Sequence, residues 1–92
     1  MYQIEARKKY NKIIAKLQQK NPKQLRIIQK KLEEIEKNPH RFKNLRSPLQ
    51  HLKRVHIDKH FVLTFSIDEE NKKVILEDYE HHDVIYGVQF FR

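Results

Sequence analysis

Six of the 92 residues are histidine, the side chain whose ordinary pKa puts its charge change near neutral pH. Four fall in two short stretches: His56 with His60, and His81 with His82. Arg54 stands two residues before the first pair, and Tyr86 follows His82 by four. These groups suit metal-independent cleavage of an RNA strand. The ribose 2′-hydroxyl must lose a proton, the departing 5′-oxygen must gain one, and the phosphorane between them needs a cation. Histidine fills both proton roles, because acid–base catalysis works best with a pKa near the operating pH. His56, His60 and His82 are the candidates for them, and Arg54 is the candidate cation. Phe61 or Tyr86 can stack or orient an unpaired base. Lys53, Lys59 and His81 lie close enough along the chain to contact RNA.

Glu77, Asp78, Glu80 and Asp83 surround His81 and His82. Carboxylates repel phosphate and favour a protonated imidazole, which helps an acid and hinders a base. The base role therefore goes to His56. A metal fits these residues less well. His56-x-x-x-His60 has ligand spacing only on a helix, and this stretch alternates like a strand. His81 and His82 are adjacent, so on an extended chain they point apart. No metal and no cofactor is expected.

Composition narrows the field further. Cysteine is absent, which excludes a disulfide scaffold, a thiolate metal cage and a cysteine nucleophile. The single glycine, Gly87, excludes a phosphate-cradling glycine loop. No apolar run exceeds three residues, so neither a membrane span nor a secretory signal is expected, and the setting expected is the cytoplasm. The formal net charge is +8 and uneven: residues 1–46 hold fourteen basic and four acidic side chains, residues 47–92 six and eight. A basic half suits a phosphate backbone or an acidic protein partner. Lys8, Lys9, Lys12, Lys16, Lys30 and Lys31 could equally form a solvated helix face.

One domain over residues 1–92 must position these groups. Residues 2–6 alternate as a short strand. From Lys8 to Gln19, Tyr10, Ile13, Ile14 and Leu17 recur with helical spacing. Asn21-Pro22 marks a boundary, with Asn21 as cap and Gln24 placed to reach back. A second helix carries Leu25, Ile28, Leu32 and Ile35 until Asn38-Pro39 stops it. A turn of three or four residues between the helices is expected.

The second half switches to period two. Val55 and Ile57, then Phe61, Leu63, Phe65 and Ile67, form the apolar sets of a hairpin. A three-residue loop at Asp58–His60 sets Ile57 opposite Phe61 and gathers both sets on one face, whereas a two-residue loop would split them. Asp68–Lys73 reads as a turn, Val74–Glu80 as the last strand, and HHDVIYGVQFFR as a tail. The order is β-α-α-β-β-β, an α+β domain with a two-helix hairpin on one face of a small, mostly antiparallel sheet. The other face is expected to be open to solvent or a ligand.

With that order in place, the run LKRVHIDKHFVLTFSID (Leu52–Asp68) and the ending HHDVIY (His81–Tyr86) resemble the RelE/ParE superfamily of toxins from toxin–antitoxin systems. The likeness extends over nearly the whole chain. Within it the pattern is most similar to the histidine-rich YafQ-like branch: His56-Ile57-Asp58, the pair His60-Phe61, and His82 four residues before Tyr86. Arg54 matches a basic position of RelE proteins. Phe61 and Asp78 stand where members of these branches carry arginine. The resemblance implies a ribosome-dependent endoribonuclease that cuts mRNA, blocked by an acidic, RelB-like antitoxin in a hetero-oligomer. The apolar ending Val88, Phe90 and Phe91 would serve as an antitoxin contact or as a last packed strand. Two alternatives share the fold or the charge. One is a ParE-like toxin that binds DNA gyrase, or a weakened member that mainly binds its antitoxin; the other is a basic nucleic-acid-binding module.

Overall fold

Asn21 ends one helix and starts the next. Its backbone N–H donates to the Leu17 carbonyl, while its Oδ1 accepts from the Gln24 N–H at 3.2 Å. The computed structural model, which describes residues 1–85, thus runs α1 (Lys8–Lys20) straight into α2 (Pro22–Lys37). The connection is this one residue and not the three or four expected, because the same asparagine closes α1 and caps α2. Pro22 occupies the first helical position, where a missing N–H costs nothing.

The strands are β1 (Gln3–Ala6), β2 (Lys53–Ile57), β3 (Phe61–Asp68) and β4 (Lys73–His81). They lie side by side in the order β1-β4-β3-β2. β1 runs parallel to β4, and the other two pairings are antiparallel. This is the β-α-α-β-β-β architecture expected from the sequence. The hairpin register sets Ile57 opposite Phe61 and Val55 opposite Leu63. Asp58 accommodates the turn with φ of 59°, a left-handed conformation that aspartate tolerates better than most residues.

β4 contains a departure from strict alternation. Thr64 faces Asp78, but Phe65 faces Leu76, so Glu77 is an extra residue in β4. This bulge lets Leu76 and Tyr79, three residues apart, enter the same core. That core lies between the sheet and both helices, with Ile28, Ile35, Ile57, Leu63, Phe65 and Val74 all buried.

The opposite sheet face is not fully open, contrary to expectation. Leu45 and Ile85 bury Val62 there, and Leu49 and Leu52 pack against them. The segment between α2 and β2 folds back to supply this cover, anchored where the Arg54 N–H donates to the Lys43 carbonyl at 2.9 Å. At the far end of the sheet Glu69 acts as a clasp. It accepts from the Tyr2 hydroxyl, Lys72 and His40, and the Tyr2 bond leads in holding its carboxyl at a pKa of about 2.

Candidate functional site

The four clustered histidines converge at one end of the sheet, where the β2–β3 loop meets the end of β4. The backbone N–H of His82 donates to the His60 carbonyl at 2.6 Å, which joins the two stretches. Alternation then sorts the side chains by face. His56 sits between the buried Val55 and Ile57, so it points away from the helices. His82 follows His81 and turns to the same side as His56. Their rings lie 5.7 Å apart, centroid to centroid, with planes tilted by 32°.

His60 and His81 form a second pair on the helix-facing side. Their rings stack at 6.1 Å with 12° between planes. Phe61, paired in register with His81, sets its ring edge-on to it at 5.5 Å and stacks on Tyr79 at 5.2 Å. The sheet end therefore carries two histidine pairs, one per face, and not a single cluster of four.

Arg54 lies two residues from His56 on the same face and is close enough to act on its charge. Burial, then Arg54, then His82 push the pKa of His56 below the ordinary histidine value. A ring so placed stays neutral near pH 7 and can accept a proton. Asp83 approaches the other pair member, its Oδ1 standing 3.5 Å from His82 Nδ1. The open side thus holds a neutral imidazole, a second imidazole beside a carboxylate, and a guanidinium.

The remaining sequence candidates take other positions. Lys53 turns to the chain that precedes β2, donating to the Phe42 carbonyl and to Asn44 Oδ1 at 2.9 Å each. Lys59 is exposed at the loop tip. Phe61 packs into the helix-side core, so its face is turned toward Tyr79 and away from His56. Tyr86 and the apolar ending lie outside the described residues. Among the described residues no three His, Asp or Glu side chains are grouped to hold a metal ion.

A cleft of about 390 Å³ that the sequence reading missed lies along the apolar cover of the open face. Leu45, Leu49, Leu52 and Ile85 form its apolar wall, Thr64 lies in its lining, and Glu77, Asp78 and Glu80 line it from β4. Lys9 reaches it from the first turn of α1, its Nζ 3.0 Å from Asp78 Oδ2. The signal available was the 4-then-3 spacing of Leu45, Leu49 and Leu52, a short apolar stripe outside any strand. Three carboxylates make the cleft unfavourable for a phosphate or any other anion.

Comparison with known proteins adds relatives to this geometry. No protein-family model matches the chain. An uncharacterised Methanosarcina mazei protein is 60% identical over 86 residues, covering 94% of this chain and all of that protein. A Methanocaldococcus jannaschii protein that carries the toxin name RelE4 is 56% identical over 86 residues, covering 94% of this chain and 92% of its own length. Among solved structures, YafQ from Escherichia coli superposes with a TM-score of 0.72 at 17% identity, covering 95% of this chain and 100% of that one. YoeB, solved with YefM from Staphylococcus aureus, gives 0.74 at 18% identity over 89% and 98%. At such identities the two structures share the fold. No helix among the described residues is long and apolar enough to cross a membrane.

Proposed function

The chain belongs to the RelE toxin family, and from that premise we propose that it is the toxin of a toxin–antitoxin pair that cuts messenger RNA on the ribosome. The observation that carries the chemistry is the His56–His82 pair beside Arg54 on the open face. His56, kept neutral, takes the proton of the attacking 2′-hydroxyl. His82 delivers a proton to the departing 5′-oxygen, and Arg54 holds the negative charge that grows on phosphorus. Nothing in this scheme requires a metal. Lys59, at the loop tip, reaches a flanking phosphate. His60, His81 and Phe61 brace the sheet end from the helix side and set the course of the loop that carries Lys59.

The antitoxin partner follows from the same premise, supported by the YoeB neighbour having been solved with YefM. A chain of net charge +8 attracts an acidic protein quickly. Primer extension on translating ribosomes tests the activity. Wild-type protein is expected to leave discrete cuts in the message, and His82→Ala to lose them. Cuts that persist in His82→Ala would remove His82 from the mechanism. No cuts with wild type would leave a toxin that acts by binding a protein target.

A further inference from the structure

The cleft under the open-face cover holds chemistry that the proposed cleavage does not use. One wall is aliphatic, from Leu45, Leu49, Leu52 and Ile85, and β4 supplies carboxylates to the other. Glu77 and Asp78 are each 22% exposed at the side chain, and each already holds a cation at 3.0 Å, Arg7 and Lys9 respectively. Glu80 forms no ion pair among the described residues. Thr64 adds a buried acceptor. It is 1% exposed, lies opposite Asp78 in register and lines the same cleft. Its hydroxyl donates to the Asp78 carbonyl at 3.4 Å, and no donor among the described residues reaches its oxygen. A hydroxyl oxygen has acceptor capacity beyond the proton it gives away, and burial without a donor is costly. Acceptors therefore outnumber donors, and Lys9 is the one cation in the lining among the described residues.

We propose that this cleft binds a linear aliphatic diamine or polyamine. Its methylenes lie on the leucine wall, and its ammonium groups donate to Asp78, Glu80 and the Thr64 oxygen. Lys9 supplies a built-in analogue, an alkylammonium that already reaches Asp78 from the cleft's edge. Asp78 and Glu80, two residues apart on one strand, stand about 7 Å apart, which a four-carbon diamine spans. A hydrated metal ion gains nothing from an aliphatic wall, and no three acids among the described residues are grouped to hold one. No aromatic ring lines the cleft, so an aromatic or quaternary cation lacks the face that attracts it. A basic protein segment would bring a broad positive surface against a chain of net charge +8, whereas a small amine meets the carboxylates alone. A bound amine joins β4 to the segment that covers Val62, so binding stabilises that cover.

Isothermal titration calorimetry with spermidine tests it. Wild type is expected to bind saturably, and less tightly as salt rises. Asp78→Asn/Glu80→Gln should weaken binding at least about tenfold, with circular dichroism establishing that the variant folds. Glu33→Gln/Glu70→Gln removes the same charge at exposed positions off the cleft and should cost less than about twofold. Lys9→Gln removes the competing ammonium and should tighten binding several-fold. Ammonium or magnesium ions at matched ionic strength should not displace spermidine, because neither brings methylenes to the leucines. Hydrogen exchange at the Leu45 and Arg54 amides should slow when spermidine is bound. Equal losses in the two double variants, displacement by the simple ions, unchanged exchange, or no saturable binding by wild type would overturn the proposal. A leucine- and lysine-rich peptide that displaces spermidine at lower concentration would overturn the choice of a small amine and assign the cleft to a basic protein segment. His56→Ala/His82→Ala should bind spermidine like wild type even if no protein form cuts RNA, which separates this site from the proposed nuclease.

Discussion

His56 and His82 come from separate stretches of the chain, yet their rings stand 5.7 Å apart on the same side of the sheet. The link is the N–H of His82 on the carbonyl of His60, which ties the end of β4 to the loop after β2. Two imidazoles at that separation can bracket one phosphodiester without blocking each other.

The pair is expected to act as a unit. His56→Ala and His82→Ala should each slow message cleavage by about 10²–10⁴-fold. The double variant should be little worse than the poorer single one, because groups that act together are not additive. Single-turnover rates on stalled ribosomes check this. Losses that multiply would mean that the two rings act on separate steps.

Stability should carry a mark of the depressed His56 pKa. As pH falls, the unfolded chain protonates this ring first, at the ordinary histidine value. It then binds more protons than the folded chain does, so acid favours unfolding in that window. The contribution is fully present above the ordinary value and is lost as pH falls through it toward the lower folded value. Urea melts from pH 7.5 to 5 should show this decline, reduced in His56→Gln. The effect is small, because the residue is exposed.

The bulge at Glu77 gives a second site of prediction. Burial raises the pKa of its carboxyl, but Arg7 and Ser66 outweigh that and hold it below the usual range. Arg7 Nε donates to it at 3.0 Å and the Ser66 hydroxyl at 2.7 Å. Glu77→Ala should cost about 1–2 kcal/mol, the scale of hydrogen bonds to a charged group. That corresponds to a fall in Tm of several degrees in a chain this short, readable by thermal melting.

Leu45→Ala tests the cover on the open face. Leu45 is 3% exposed and packs on Val62 and Ile85. Removing it should cost about 2–3 kcal/mol, the lower end for a buried leucine because the cluster is small. Hydrogen exchange should rise at the Arg54 and Leu45 amides, which bond across this segment. Unchanged protection there would mean that the cover is held by its backbone alone.

Much of this was legible because alternation and helical spacing are local properties. The register of Ile57 opposite Phe61 followed from asking which loop length buries both apolar sets. The side of His56 followed from its place between Val55 and Ile57. The bulge was hidden, because an extra residue in β4 shows only when paired against β3. The cover from Leu45, Leu49 and Leu52 was hidden for a related reason: its partner Val62 lies on a distant strand and looked solvent-facing by alternation. Alternation already set His81 and His82 on opposite faces, but it did not show that His60 would leave the open face and stack on His81.

The central claim is that His56 takes the proton that starts RNA cleavage. Its most direct test is the single-turnover cleavage rate against pH on programmed ribosomes, for wild type and His56→Ala. The wild-type rate should rise with pH along a limb whose midpoint lies below the ordinary histidine pKa, and that limb should vanish in His56→Ala. A limb that keeps its midpoint in the variant would contradict the assignment.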